Sequence, residues 1–138
     1  MTAGPHTFLL DAHALSLLAE DSPAMQEWVA LARRTSSVMC VSTATLAETT
    51  DGTARDANVR CTEKAAKRVA VSDEIGYTAG RLRALAASTR RKPRDLTVDA
   101  IVAATALSLR PPVVVLTSDR PDLTAMLDGT GVRVRTVG

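Results

Sequence analysis

Short runs of apolar residues alternate with longer stretches of helical periodicity along the whole chain. The clearest run covers residues 113–116, where apolar residues, most of them β-branched, follow one another without a polar break, as in a buried strand. Similar runs lie at residues 7–10 and 38–41. This alternation predicts an α/β fold in three layers, with a central, mainly parallel sheet flanked by helices.

The same patterns predict the elements in order. We expect further strands at 68–71 and 132–136, the last at a sheet edge because Val alternates there with Arg and Thr. Apolar spacing and capping residues predict helices at 12–19, 23–34, 55–67, 73–90, 98–109 and 120–127, and a further helix that is capped by Ser42 and runs to Glu48. Thr97 is a plausible N-cap of the helix that follows it.

Length and composition limit the classes of protein that remain. The chain has 138 residues, which predicts one domain over 1–138, and 46% are apolar, which argues against disorder. A net charge of +2 is too small to identify a nucleic-acid binder. Cys40 and Cys61 fit no metal-ligand pattern, and we expect no disulfide between them. With no signal peptide or membrane span apparent, we expect a cytoplasmic protein without membrane contact.

Four isolated acids stand at the ends of predicted elements. Asp11 ends the first strand, and Asp119 follows the strand at 113–116. Asp99 begins a predicted helix, and Glu48 ends one. In parallel sheets, binding groups gather beyond the carboxyl ends of the strands, so these acids can share one crevice. Four carboxylates in one pocket would repel one another unless a divalent cation neutralised them.

Oxygen ligands of this kind suit Mg²⁺ or Mn²⁺, and no set of His and Cys offers a zinc site. Taken singly, each acid also has a structural explanation. Asp11 could cap a helix, and the charge of Asp99 could be stabilised by the positive end of its helix dipole. Asp119 could form a turn, and Glu48 could simply be exposed. The combination is what indicates a metal site.

The segments that carry these acids resemble the PIN-domain family, in the same order along the chain. They lie at residues 9–12, 46–48, 98–106 and 115–119, and Gly80-Arg81-Leu82 is also similar. The chain looks most like the VapC-type toxin ribonucleases of bacterial toxin–antitoxin pairs. The resemblance implies a three-layer fold, Mg²⁺- or Mn²⁺-dependent cleavage of RNA, frequent homodimers, and a cognate antitoxin that blocks the active cleft.

The resemblance also assigns residues. It places Asp11, Glu48, Asp99 and Asp119 at the catalytic, metal-binding positions of the family. Asp122 stands where related chains often have a further acid, so our predicted metal ligands are Asp11, Asp99, Asp119 and Asp122. Thr117 stands where a hydroxyl often supports the site. His13 departs from the small hydroxyl residue that is common two places after the first acid.

Basic residues supply candidate contacts to the RNA backbone. We predict phosphate contacts from Arg55, Arg60, Arg91 and Arg94. Aromatic residues make up only 2% of the chain, so recognition of a folded RNA by its shape is more plausible than stacking of single strands.

Other functions fit the sequence less well. A catalytically silent PIN-like module that binds RNA or protein is the main alternative, and the presence of all four acids argues against it. A receiver domain would need an acceptor Asp after a central strand and a Lys after a later strand, but Lys92 follows no predicted strand. A phosphatase with an acid pair near the first strand would need a second Asp two positions after Asp11, where this chain has His13.

Overall fold

The computed structural model describes residues 4–88, 95–118 and 121–137. Strands and helices alternate through them, as the sequence predicts. The strands are β1 (Thr7–Leu10), β2 (Val38–Ser42), β3 (Lys67–Val69), β4 (Val113–Thr117) and β5 (Arg133–Thr136). The helices are α1 (Ala12–Ala19), α2 (Pro23–Arg34), α3 (Thr43–Thr49), α4 (Asp56–Cys61), α5 (Asp73–Ala87), α6 (Thr97–Ser108) and α7 (Pro121–Leu127).

The strands form one sheet in the order β3-β2-β1-β4-β5, and every neighbouring pair is parallel. The chain begins in the centre with β1, builds outward to β3, and then crosses back to place β4 on the other side of β1. The strand order therefore reverses between β1 and β4. In parallel sheets this reversal opens a crevice beyond the carboxyl ends of the two strands.

Alternating side chains divide the core into two layers. Leu9, Val115 and Val134 point to the face that α5, α6 and α7 cover. Phe8 and Leu116 point to the opposite face, which α1, α2 and α4 cover. Since β1 and β4 are buried on both faces, their sequences are continuous apolar runs rather than alternating ones. The three-layer α/β prediction is confirmed.

One predicted helix is wrong in its extent. Instead of a helix over 55–67, the chain forms α4, a 3₁₀ turn at Thr62–Lys64, and then β3. The guanidinium of Arg68 donates to the backbone oxygens of Val59 and Ala66 and to Oγ1 of Thr62. The bond to Val59 adds a donor to a carbonyl in the last turn of α4, and the bonds to Thr62 and Ala66 hold the segment that leads from the helix into the sheet.

The start of α6 also differs from the prediction. Thr97 is the first helical residue and not the N-cap. Asp95 accepts a hydrogen bond from the backbone N–H of Thr97 at 3.0 Å, and its bonds with Thr97 lower the pKa of Asp95. The acid two residues upstream thus stabilises the first turn.

Two smaller expectations concern thiols and membranes. Cys40 is buried and Cys61 is exposed, and both are free thiols, as expected. Among the helices of the described segments, none combines the length and the hydropathy needed to cross a bilayer.

Candidate active site at the carboxyl edge of the sheet

Asp11 lies where the strand order reverses, directly after β1. Its backbone N–H donates to the carbonyl oxygen of Leu116 at 3.1 Å, which joins the end of β1 to β4. Its side chain is the N-cap of α1, because Oδ1 accepts from the backbone N–H of Ala14 at 2.9 Å. One carboxylate oxygen is therefore fixed by the helix that follows the strand.

Thr117 holds the second oxygen of that carboxylate. It is the last residue of β4, its side chain is fully buried, and its Oγ1 donates to Oδ2 of Asp11. The backbone oxygen of Thr117 accepts from Val137 N–H at 2.9 Å. The resemblance had implied a supporting role for this hydroxyl, and the contact with Asp11 is the geometry that such a role needs.

Burial makes the Asp11 carboxylate costly to ionise. Desolvation raises the pKa of Asp11 above its ordinary value of 3.8, although the hydrogen bonds from Ala14 and Thr117 and the nearby His13 oppose that rise. A desolvated carboxylate with a fixed orientation gains more from a neighbouring cation than an exposed one does.

Asp99 approaches the same edge from α6. This helix is followed by the connection 109–112 and then by β4, so it runs antiparallel to the strands. Its last turn is near the amino edge of the sheet, and its first turn, which contains Asp99, is near the carboxyl edge. Asp99 is half-buried there, and α6 packs on β2, β4 and α3.

Glu48 comes from a further helix, α3. It lies in the last turn of α3, which begins after β2 with Ser42 as its N-cap. The helix packs on α1 and α6, which are the helices that carry Asp11 at the N-cap and Asp99 in the first turn. Glu48 itself is exposed to solvent.

The last two predicted acids follow β4. Asp122 is half-buried in the first turn of α7, on the same edge as Asp11 and Asp99. Asp119 lies outside the described residues. Within residues 4–88, 95–118 and 121–137, no three His, Cys, Asp or Glu side chains are close enough together to hold a metal ion. The predicted metal set therefore stays a prediction that includes Asp119.

The described donor set still fits a hard divalent cation in its chemistry. Asp11, Asp99 and Asp122 offer oxygen atoms only, at one edge of a parallel sheet. The desolvated carboxylate of Asp11 is a group whose charge needs compensation. A divalent cation would supply that compensation.

The predicted RNA contacts divide into two pairs. Arg91 and Arg94 lie outside the described residues. Arg55 and Arg60 are exposed at α4. Arg55 is ion-paired with Asp51 at 3.0 Å. Hydrogen bonds from Thr53 and Arg55 lower the pKa of Asp51 to about 2, so Asp51 is ionised at neutral pH and offsets the charge of Arg55.

The structure confirms one predicted cap and adds one residue that the sequence analysis missed. Ser42, the predicted cap of the helix that carries Glu48, is fully buried and is the N-cap of α3. Asp95 was missed, and it organises the first turn of α6, which carries Asp99. An Asp two residues before a helix was the available signal.

The fold and this edge together define a class, namely parallel α/β proteins with acidic residues at the point where the strand order reverses. The family model of the PIN domain matches residues 8–121. The chain belongs to the PIN-domain family. No protein of curated function matches it significantly.

Solved structures share the fold at low sequence identity. A chain of the Rickettsia felis VapBC2 complex with promoter DNA superposes with a TM-score of 0.74 at 10% identity, covering 96% of this chain and 99% of that one. A chain of DNA-bound VapBC from Salmonella typhimurium superposes with a TM-score of 0.67 at 20% identity, covering 95% of this chain and 98% of that one. A chain of VapBC-5 from Mycobacterium tuberculosis superposes with a TM-score of 0.56 at 24% identity, covering 96% of this chain and 98% of that one.

Proposed function

We propose that this chain is a ribonuclease that hydrolyses RNA phosphodiester bonds with Mg²⁺ or Mn²⁺. The observation that carries the proposal is the Asp11 carboxylate, which is desolvated, held by Ala14 and Thr117, and placed where the strand order reverses. Membership of the PIN-domain family supports the same reaction.

Each acid has a proposed part. Asp11, Asp99, Asp119 and Asp122 would hold the ion, and Glu48 contributes a further carboxylate from α3. Thr117 keeps the Asp11 carboxylate in one orientation through its hydrogen bond to Oδ2. When bound, a divalent cation supplies a water of lowered pKa and polarises the scissile phosphate.

The substrate contacts follow from charge. Arg55, Arg60, Arg91 and Arg94 are proposed to hold the RNA backbone through its phosphates, which sets position and not sequence. Because Asp51 partly offsets Arg55, we expect Arg60 to contribute more than Arg55. Recognition of a folded RNA by shape fits the low aromatic content.

We further propose that the chain is the toxin of a bacterial toxin–antitoxin pair and acts as a homodimer in the cytoplasm. In this proposal residues 1–138 form a single nuclease domain. The partner would be a cognate antitoxin that blocks the active cleft. The fold shared with chains of VapBC complexes supports this part. A neighbouring reading frame whose co-expression relieves toxicity would support it independently.

RNA cleavage in Mn²⁺, with an EDTA control, tests the reaction. Asp11→Asn and Asp99→Asn are expected to abolish metal-dependent cleavage while remaining folded. Asp73→Asn is the matched control, because Asp73 is an exposed acid in the first turn of α5 and should keep full activity. Full cleavage by folded Asp11→Asn and Asp99→Asn would refute the assignment.

Calorimetric titration with Mn²⁺ tests the metal set separately. We expect binding by the wild type and a marked loss in Asp119→Ala, whereas Asp128→Ala, an exposed acid after α7, should bind like the wild type. Equal binding in all three would remove Asp119 from the ligands. RNA binding without cleavage in Mn²⁺ would instead favour a catalytically silent PIN-like module.

A further inference from the structure

A groove lies on the opposite side of the molecule from α5, between helix α2 and strand β5. We call it the α2–β5 groove. Phe8 and Val114 form its floor, Trp28 and Leu31 line the helix side, and Arg133 and Arg135 line the strand side. Its volume is about 150 Å³. None of the proposed catalytic acids lines it.

The strand register explains how the groove forms. Phe8, Val114 and Arg133 lie side by side across β1, β4 and β5. Val134 packs into the core beneath α5, α6 and α7, so Arg133 and Arg135 must point to the other face. On that face α2 packs over Phe8, and the two arginines close the groove from the sheet edge.

The apolar floor of the groove is in contact with neighbouring rings. Phe8 is 3% exposed, and its ring centroid lies 5.6 Å from that of Trp28 in an edge-on arrangement. His6, which also lines the groove, stacks on Phe8 with the two ring centroids 5.9 Å apart. The chain has one Phe, one Trp and one Tyr, so two of its three aromatic residues meet here.

The strand side of the groove is positively charged. Arg133 and Arg135 are both exposed, and no acid lines the groove. In the described part of the chain the one ion pair is Arg55 with Asp51, so neither groove arginine is neutralised there. Two guanidinium groups beside an apolar floor are complementary to an apolar side chain with carboxylates next to it.

We propose that the α2–β5 groove binds an acidic segment of a protein partner, which inserts one Leu, Ile or Phe side chain and pairs its flanking Asp or Glu residues with Arg133 and Arg135. A pocket of about 150 Å³ lined by apolar groups has the size to hold a benzene ring, so one large side chain fills it. This inference does not depend on the proposed nuclease activity.

A protein segment fits this groove better than RNA does. A nucleobase would bring polar edges onto the floor formed by Phe8 and Val114, whose side chains offer no hydrogen-bonding group in exchange for the water that is lost. A Leu or Phe side chain has no such groups, and its burial is favourable. The arginines can then pair with carboxylates on either side of the inserted residue.

Trp28 makes the groove directly observable, because it is the chain's one tryptophan. The probe is an acetylated and amidated peptide, Asp-Glu-Asp-Leu-Glu-Asp-Glu, titrated into the full chain while Trp28 emission is recorded. We expect a saturable change in emission. Replacing the Leu of the peptide by Ser should weaken binding about tenfold or more, since a buried Leu contributes that much.

Charge reversal tests the arginines. The pair Arg133→Glu with Arg135→Glu should weaken the acidic peptide about tenfold and favour a peptide with Lys in place of its acids. The matched control is Arg81→Glu with Arg83→Glu, which makes the same charge change on exposed positions of α5, on the opposite face. Both variants should keep the circular dichroism spectrum of the wild type.

Three results would overturn the proposal. They are an unchanged Trp28 emission, an equal loss of affinity in both double variants, and tighter binding of a single-stranded oligouridylate than of the acidic peptide at Trp28. The last result would assign the groove to nucleic acid. RNA cleavage is measured on the same proteins, so an inactive wild type that still binds the peptide would refute the nuclease and leave the groove assignment standing.

Discussion

The hydrogen bond from Thr117 to Asp11 is the contact whose loss is most informative. In the variant Thr117→Val the shape of the side chain is kept, but Oδ2 of Asp11 loses a donor inside a desolvated site. A hydrogen bond to a charged group contributes about 1.5–3 kcal/mol. The methyl group that replaces the hydroxyl contributes about 0.8 kcal/mol of hydrophobic stabilisation in compensation.

We therefore expect the metal-free variant to be less stable by about 1–2 kcal/mol near neutral pH. Unfolding entropy is about 2.1 cal/mol/K per residue. For a chain of 138 residues, that difference lowers Tm by about 3–7 °C.

The stability deficit of Thr117→Val should depend on pH, because the lost hydrogen bond changes the folded-state pKa of Asp11. The folded-state pKa of Asp11 is already raised by burial, and Thr117 opposes the rise, so Thr117→Val raises it further. A carboxyl group with a raised folded pKa favours the fold when protonated and loses that contribution as pH rises through the folded pKa. The stability deficit of Thr117→Val should be complete above both folded pKa values and should shrink as the pH falls through them.

The assay is urea unfolding in EDTA, from about pH 7 down to the lowest pH at which both proteins are folded. Thr117→Ser is the control, because it keeps the hydroxyl and loses only a methyl, so its deficit should not change with pH. A deficit of Thr117→Val that is independent of pH, or equal stability of this variant and the wild type, would refute the reasoning.

Three further predictions address charge, loop structure and the core. In EDTA, Asp11→Asn should raise Tm near neutral pH because it removes a desolvated charge, and a lower Tm would contradict this. NMR titration should place the pKa of Asp51 at about 2 and show that Thr53→Ala raises it; a wild-type midpoint near the ordinary value of 3.8 would contradict the loop geometry. Leu116→Ala, at a residue that is 0% exposed, should lower the free energy of unfolding in denaturant by about 2–5 kcal/mol. Val38→Ala, at a residue that is 49% exposed, should lower it far less. Similar losses in the two variants would show that Leu116 is not in a close-packed core.

Much of the fold follows from local sequence. The apolar run at 113–116 predicted β4, and the apolar spacing within 73–90 predicted α5, because the periodicity of burial depends on neighbouring residues. The predicted helix over 55–67 was wrong, because Arg68 reaches back to Val59 through a contact that local periodicity does not report.

The site divides in the same way. The sequence identified Asp11 and Asp99 as acids at the ends of elements, and the family resemblance added Asp122. The structure has all three at the ends of elements, on the carboxyl edge of the sheet. It did not identify Asp95, which stabilises the first turn of α6 in place of the predicted cap Thr97. Cap geometry depends on the backbone angles of a few residues, and several polar residues near a helix start compete for the position.

The order of residues alone determined that short buried strands alternate with helices and that single acids follow them, because each of these features depends on neighbours within a few positions. Only the tertiary structure decided that β4 lies beside β1. That pairing brings Thr117 onto the carboxylate of Asp11, 106 positions away, and places Arg133 in line with Phe8. Contacts of this range depend on how whole layers pack, and no local pattern encodes them.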